Sequence, residues 1–174
     1  MRKFKKGDLV FHACHGAGTV ITTQRLDIGG VEGIYYVVEL ATGSKLMIPV
    51  KEAEDLRLRP LITLETIREV LSAIPEELAA DFRQRRGDIE EKVNSGDQMQ
   101  TTEVLRDLAW RERTASLSGG DRELMSSVKK RLVQILAMRP GVDVQEASQL
   151  LETLLGETLW YGEYLDGDQP PAIP

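Results

Sequence analysis

The hydrophobic pattern of this 174-residue chain changes its period once, near Pro60. Up to that point apolar and polar residues alternate in short runs broken by glycine, as in half-buried strands. Phe4 and Val10 read as apolar strand positions around a Gly7-Asp8 turn, and Gly16-Ala17-Gly18 permits positive φ or close backbone approach before Thr19-Val20-Ile21 resumes a β-rich run. The strand beginning at Gly16 leads through Arg25 into turn chemistry at Asp27-Ile28-Gly29-Gly30. Ile34 to Leu40, rich in aromatic and β-branched residues, predicts another strand. After a glycine-containing turn, Lys45 to Val50 predicts one more, with Pro49 near its end, where an edge position tolerates the missing donor. Leu56-Arg57-Leu58-Arg59 alternates and predicts a last short strand. Short strands at this spacing imply a small antiparallel barrel.

Beyond Pro60 the period becomes about 3.6. Thr63 caps a helix over LETIREVLSAI, and Pro75 with Glu76 and Glu77 predicts the first turn of a second. On that second helix Leu78, Phe82, Ile89 and Val93 share a face, Gly87 lies inside, and Gly96 ends it. Asp97 with Gln100, Ser118 with Asp121, and Asp143 with Glu146 have capping-box spacing and start three more helices. Their apolar stripes run through Val104, Leu105 and Leu108, then Val128, Leu132 and Ile135, then Ala147, Leu151 and Leu154. The expected architecture is α+β, with β preceding α. A small antiparallel barrel occupies residues 1–60, a bundle of about five helices residues 61–160, and an acidic, proline-rich, disordered tail residues 161–174.

Charge narrows the function. The net charge of −6 is not that of a protein that coats nucleic acid, for which a basic excess is the usual footprint. The barrel half is slightly basic and the acid excess lies beyond it, so any DNA contact is local. Cys14, the single cysteine, excludes an internal disulfide framework and fits a reducing compartment. His12, Cys14 and His15 cluster, but they are the only histidines and cysteine in the chain, and a closed zinc site would need a carboxylate or a partner. A loop thiol beside two turn histidines is the simpler reading. No apolar run approaches the roughly 18 to 20 residues of a membrane span, and the basic start lacks the apolar core of a secretory signal. A cytoplasmic monomer is expected.

The motifs Phe4-x-x-Gly7-Asp8-x-Val10, His15-Gly16-x-Gly18-x-Val20, Tyr35-Tyr36-Val37, Ile48-Pro49-Val50 and Leu58-Arg59 together resemble the CarD/CdnL family of bacterial transcription regulators. Ser95-Gly96-Asp97, Arg106-Asp107-Leu108 and the SLSGGDRELM stretch resemble its helical domain. The resemblance implies a Tudor-like barrel that docks on the β subunit of RNA polymerase and a helical domain that contacts promoter DNA at the upstream edge of the melted region. It implies no catalysis, no cofactor, no metal and no small-molecule substrate.

Carried over residue by residue, it marks Arg25, Lys45 and Met47 for the polymerase contact. It marks Phe82, at the position of the family's tryptophan wedge, with Arg83, Arg85 and Arg86 for DNA. Plainer readings stand beside these. Arg25 and Lys45 are also ordinary solvated strand residues, Phe82 also fits a core stripe, Trp110 fits second-layer packing, and Lys129-Lys130-Arg131 fits a solvated helix face. Two rival functions stay open: a scaffold that binds polymerase or another protein without touching DNA, and an enzyme, for which only the Cys14-His15 adjacency speaks.

Overall fold

The computed structural model describes residues 3–53 and 58–159, without the side chains of 158 and 159. Five strands come first: β1 (Leu9–His12), β2 (Gly16–Ile28), β3 (Val31–Leu40), β4 (Lys45–Pro49) and β5 (Leu58–Pro60). Five helices follow: α1 (Leu64–Ser72), α2 (Phe82–Asn94), α3 (Gln98–Thr114), α4 (Gly119–Ala137) and α5 (Val144–Leu159). The strands form one antiparallel sheet in the order β4-β3-β2-β1-β5, consistent with the expected Tudor-like fold. Leu56, Arg57, Trp160, Tyr161 and the 161–174 tail lie outside the described residues.

Local chemistry explains the turns. β2 and β3 are joined by Gly29 and Gly30 at φ of +63° and +82°, a two-residue hairpin loop that only glycine enters freely. Asp27 Oδ1 accepts from Gly30 N at 2.9 Å and fixes it. Phe4 lies outside the strands: it precedes β1 and folds into the sheet's core, its ring edge-on to Tyr36 at 5.6 Å and its N–H donating to the Tyr36 hydroxyl. That core also holds Val10, Val20, Val38, Ile48 and Leu58.

The opposite face of β1 serves a second core. Phe11 and Ala17, paired across β1 and β2, are buried in the same cluster as Leu105, Leu108, Leu132 and Ile135 of the helices. Gln98, on α3, ties the connection: its side chain accepts from Ile62 N at 3.1 Å and donates to the Pro60 carbonyl at 2.8 Å. Gly96, at φ +76°, ends α2 as expected and leaves room for the β1–β2 turn, since a Cβ there would collide with Ala13.

The second helix starts later than its proline suggests. Residues 73–81 are non-helical, Leu78 is off the helix, and α2 begins at Phe82 under an Asp81 cap that accepts from Gln84 N at 2.9 Å. Buried side chains hold this segment open. Asp107 accepts from Glu76 N at 3.0 Å, and Arg85 draws the Ala79 and Ala80 carbonyls away from helical bonding. Capping boxes form at Ser118/Asp121 and Asp143/Glu146. At Asp97 the reciprocal half is missing, because Gln100 Oε1 accepts from Ser95 Oγ and Ser95 Oγ accepts from Asp97 N.

Candidate nucleic-acid and partner interface

The N-termini of α2 and α4 meet at one junction. Arg85, 3 % exposed, donates from Nε to Asp121 Oδ1 at 3.0 Å and from Nη2 to Asp121 Oδ2 at 2.9 Å, while Nη1 donates to the Ala79 and Ala80 carbonyls at 2.6 and 3.0 Å. Asp121 Oδ2 also accepts from Ser118 N and Oγ, which completes the α4 cap. Burial alone would raise the Asp121 carboxyl, but the Arg85 and Ser118 hydrogen bonds outweigh it and hold the group below its ordinary range. The hydrogen bond to Asp121 correspondingly raises Arg85.

This removes Arg85 from the residues offered to DNA. The bidentate, desolvated pair occupies its guanidinium, so it is a structural tie between two helices rather than a phosphate contact. Arg83 is exposed. Arg86 is half-exposed and bound to Glu90 at 2.7 Å one turn along, so its charge is partly met within α2.

Phe82, the first residue of α2, is half-buried. Its ring lies under the Arg85 guanidinium, 5.6 Å from Cζ to centroid, and against Gly120, where an added Cβ would stand 2.6 Å from the ring's Cζ. It is neither a fully buried core residue nor a free one. Trp110 is partly buried against the helical core. The basic run on α4 is not a uniform solvated face: Lys129 pairs with Glu152 at 2.8 Å, Arg131 reaches the Val93 carbonyl at 3.4 Å, and Lys130 is exposed.

On the sheet, register separates the polymerase candidates. Lys45 pairs with Glu39 and Met47 with Val37, which puts both on one face, and both are exposed. Arg25 pairs with Ile34, three residues from Val37, and therefore points to the opposite face, where it meets Glu32 at 3.4 Å. Sequence reading missed the exposed apolar residues of the β2–β3 hairpin, Ile28, Val31 and Ile34. Ile28 and Val31 pair across the hairpin and Ile34 lies on the other face, all three β-branched as strand-core residues are; nothing local marks that β4 pairs only with Tyr35 to Glu39 and leaves the hairpin's end uncovered. It also missed Gly120 and the tie to Asp121, whose partner lies 36 residues away.

The turn cluster packs without a metal geometry. The His12 and His15 rings lie 4.7 Å apart, His12 Nδ1 accepts from Cys14 N, and Cys14 is exposed. Among the described residues no group of three His, Cys, Asp or Glu side chains is placed to hold a metal ion, and no helix is long and apolar enough to cross a membrane.

A five-stranded antiparallel sheet followed by five helices, with exposed apolar residues at the end of the β2–β3 hairpin, is an architecture of the β-then-α class. Residues 4–62 match the CarD-like/TRCF RID domain and residues 66–152 the CarD C-terminal domain, so the chain belongs to the CarD family. It is 21% identical over 143 residues to the putative transcription factor YdeB of Bacillus subtilis (strain 168), a comparison covering 80% of this chain and 94% of that protein. These are transcription-factor and interaction domains rather than enzyme families.

Proposed function

We propose that the chain binds the β subunit of RNA polymerase through its sheet and steadies the promoter open complex through the α2 N-terminus. Residues 1–60 are the polymerase-facing part and residues 61–160 the DNA-facing part, acting as a monomer. The observation that carries this reading is the matching of both family domains, in order, across the chain. The half-buried Phe82 with exposed Arg83 beside it supports the DNA contact, and the shared face of Lys45 and Met47 supports the polymerase contact.

A binder that prefers the open state shifts the closed-to-open equilibrium only by its differential affinity for the two. An aromatic ring stacked on an unpaired base is worth about 1–3 kcal/mol, which lengthens open-complex lifetime roughly 5- to 150-fold if the interaction is lost on closing. The test is open-complex decay with the wild-type chain and with Phe82→Ala. Polymerase binding should survive the substitution while the gain in lifetime disappears. A scaffold that never touches DNA is the second reading, favoured by the net charge of −6 and by the internal pairing of Arg85 and Arg86. It predicts the same lifetime for both proteins.

A further inference from the structure

We infer that Gly120 and the Arg85–Asp121 pair form a seat that sets where the Phe82 ring stands, making residues of α4 positioning residues for a contact made from α2. This deepens the proposed function and rests on the Phe82 reading. Three observations converge on the seat. The bidentate pair, held again by the Ser118 cap, fixes the two helix N-termini to one another. The Arg85 guanidinium covers the Phe82 ring from its own helix. From the other helix, the bare Cα of Gly120 lets the ring tip close in, and any side chain there would stand 2.6 Å from Cζ and 2.9 Å from Cε2.

The contact is asymmetric in a useful way. Gly120 is the second residue of α4 and does not have a positive φ, so alanine fits its backbone and favours the helix. What alanine displaces is the far end of one side chain. Gly120→Ala therefore moves the ring off its seat while leaving the cap and the ion pair in place. A purely structural role for this junction predicts little change from such a substitution; a positioning role predicts a functional one.

The experiment compares open-complex decay for wild type, Phe82→Ala, Gly120→Ala and the double variant, using the full chain with polymerase and one promoter, beside thermal melts of each. The expected result is a melting temperature for Gly120→Ala at or near wild type, a lifetime shortened about threefold or more toward the Phe82→Ala value, and a double variant no worse than Phe82→Ala alone. If Phe82→Ala shortens the lifetime and Gly120→Ala does not, the seat is overturned and the Phe82 reading stands. If Phe82→Ala leaves the lifetime unchanged, the reading beneath it fails and the inference falls with it. Additive losses in the double variant also overturn the seat, because Gly120 would then act independently of the ring. Arg85→Lys, which keeps the charge but loses the two-pronged geometry, should shorten the lifetime in the wild-type background and not in Phe82→Ala.

Discussion

At Arg85 the surrounding residues decide what an arginine is for. In a run of FRQRR it reads as one of three similar cations, yet it alone is 3 % exposed and spends its donors on Asp121 and two carbonyls. Removing one partner of such a buried pair strands the other charge, so Arg85→Met should cost about 3–5 kcal/mol, while replacing both partners with apolar residues should cost less than the two single changes summed. Urea unfolding of the single and double variants measures the difference. Asp121 adds a pH dependence of definite sign. Its folded-state value is depressed, so its contribution is fully present above the unfolded aspartate value near 3.9 and is lost as pH falls through the lower folded value. Asp121→Asn should flatten the acid limb of the stability curve.

His12 acts in the same direction at milder acidity. Burial, and secondarily His15, lower its value, so the unfolded chain binds the proton more readily than the folded one. Stability from this residue is complete above the unfolded histidine value near 6.5 and declines as pH falls toward the folded value. Melting temperatures of wild type and His12→Gln between pH 7.5 and 5.5 should converge as pH falls. These residue-level features were hard to read from sequence. A cation's partner across 36 residues leaves no periodic trace, whereas a cap and its partner three residues on do.

Elements whose signals are local matched their sequence patterns. Thr63 caps α1, Ser118 and Asp121 box α4, and Gly29-Gly30 close the long hairpin. The start of α2 did not match, because Pro75 and the two glutamates are good first-turn residues and only the distant Asp107 and Arg85 side chains decide otherwise. Gly96 shows both kinds of constraint in one residue. Its positive φ was legible as a helix stop, but its contact with Ala13 was not. Gly96→Ala should cost more than the roughly 1–2 kcal/mol of the left-handed backbone alone, since the β1–β2 turn must also retreat. Chemical denaturation with an unchanged m-value is the measurement.

At the scale of the molecule, β1 joins what the change in hydrophobic period divides. A strand reading LVFH shows no clean alternation because Val10 faces one core and Phe11 the other. The period change therefore marked where the secondary structure changes but not how the parts share a core. Phe11→Ala should cost about 3–5 kcal/mol, and the wild-type chain should unfold in one calorimetric transition in which sheet and helices melt together. Two separated transitions would show that the Phe11 contact does not couple them. The shared core and the Arg85–Asp121 tie also give the α2 N-terminus a fixed place relative to the sheet, so that the proposed contacts at Lys45 and Met47 and at Phe82 would stand at a defined separation.

The proposed hold on the open promoter by a ring at the start of α2 is tested most directly by the decay of preformed open complexes after a competitor challenge. With polymerase saturated, the wild-type chain should lengthen the lifetime and Phe82→Ala should return it to within about twofold of polymerase alone, losing the roughly 1–3 kcal/mol that stacking contributes. A wild-type chain that binds polymerase yet leaves the lifetime unchanged would contradict the account.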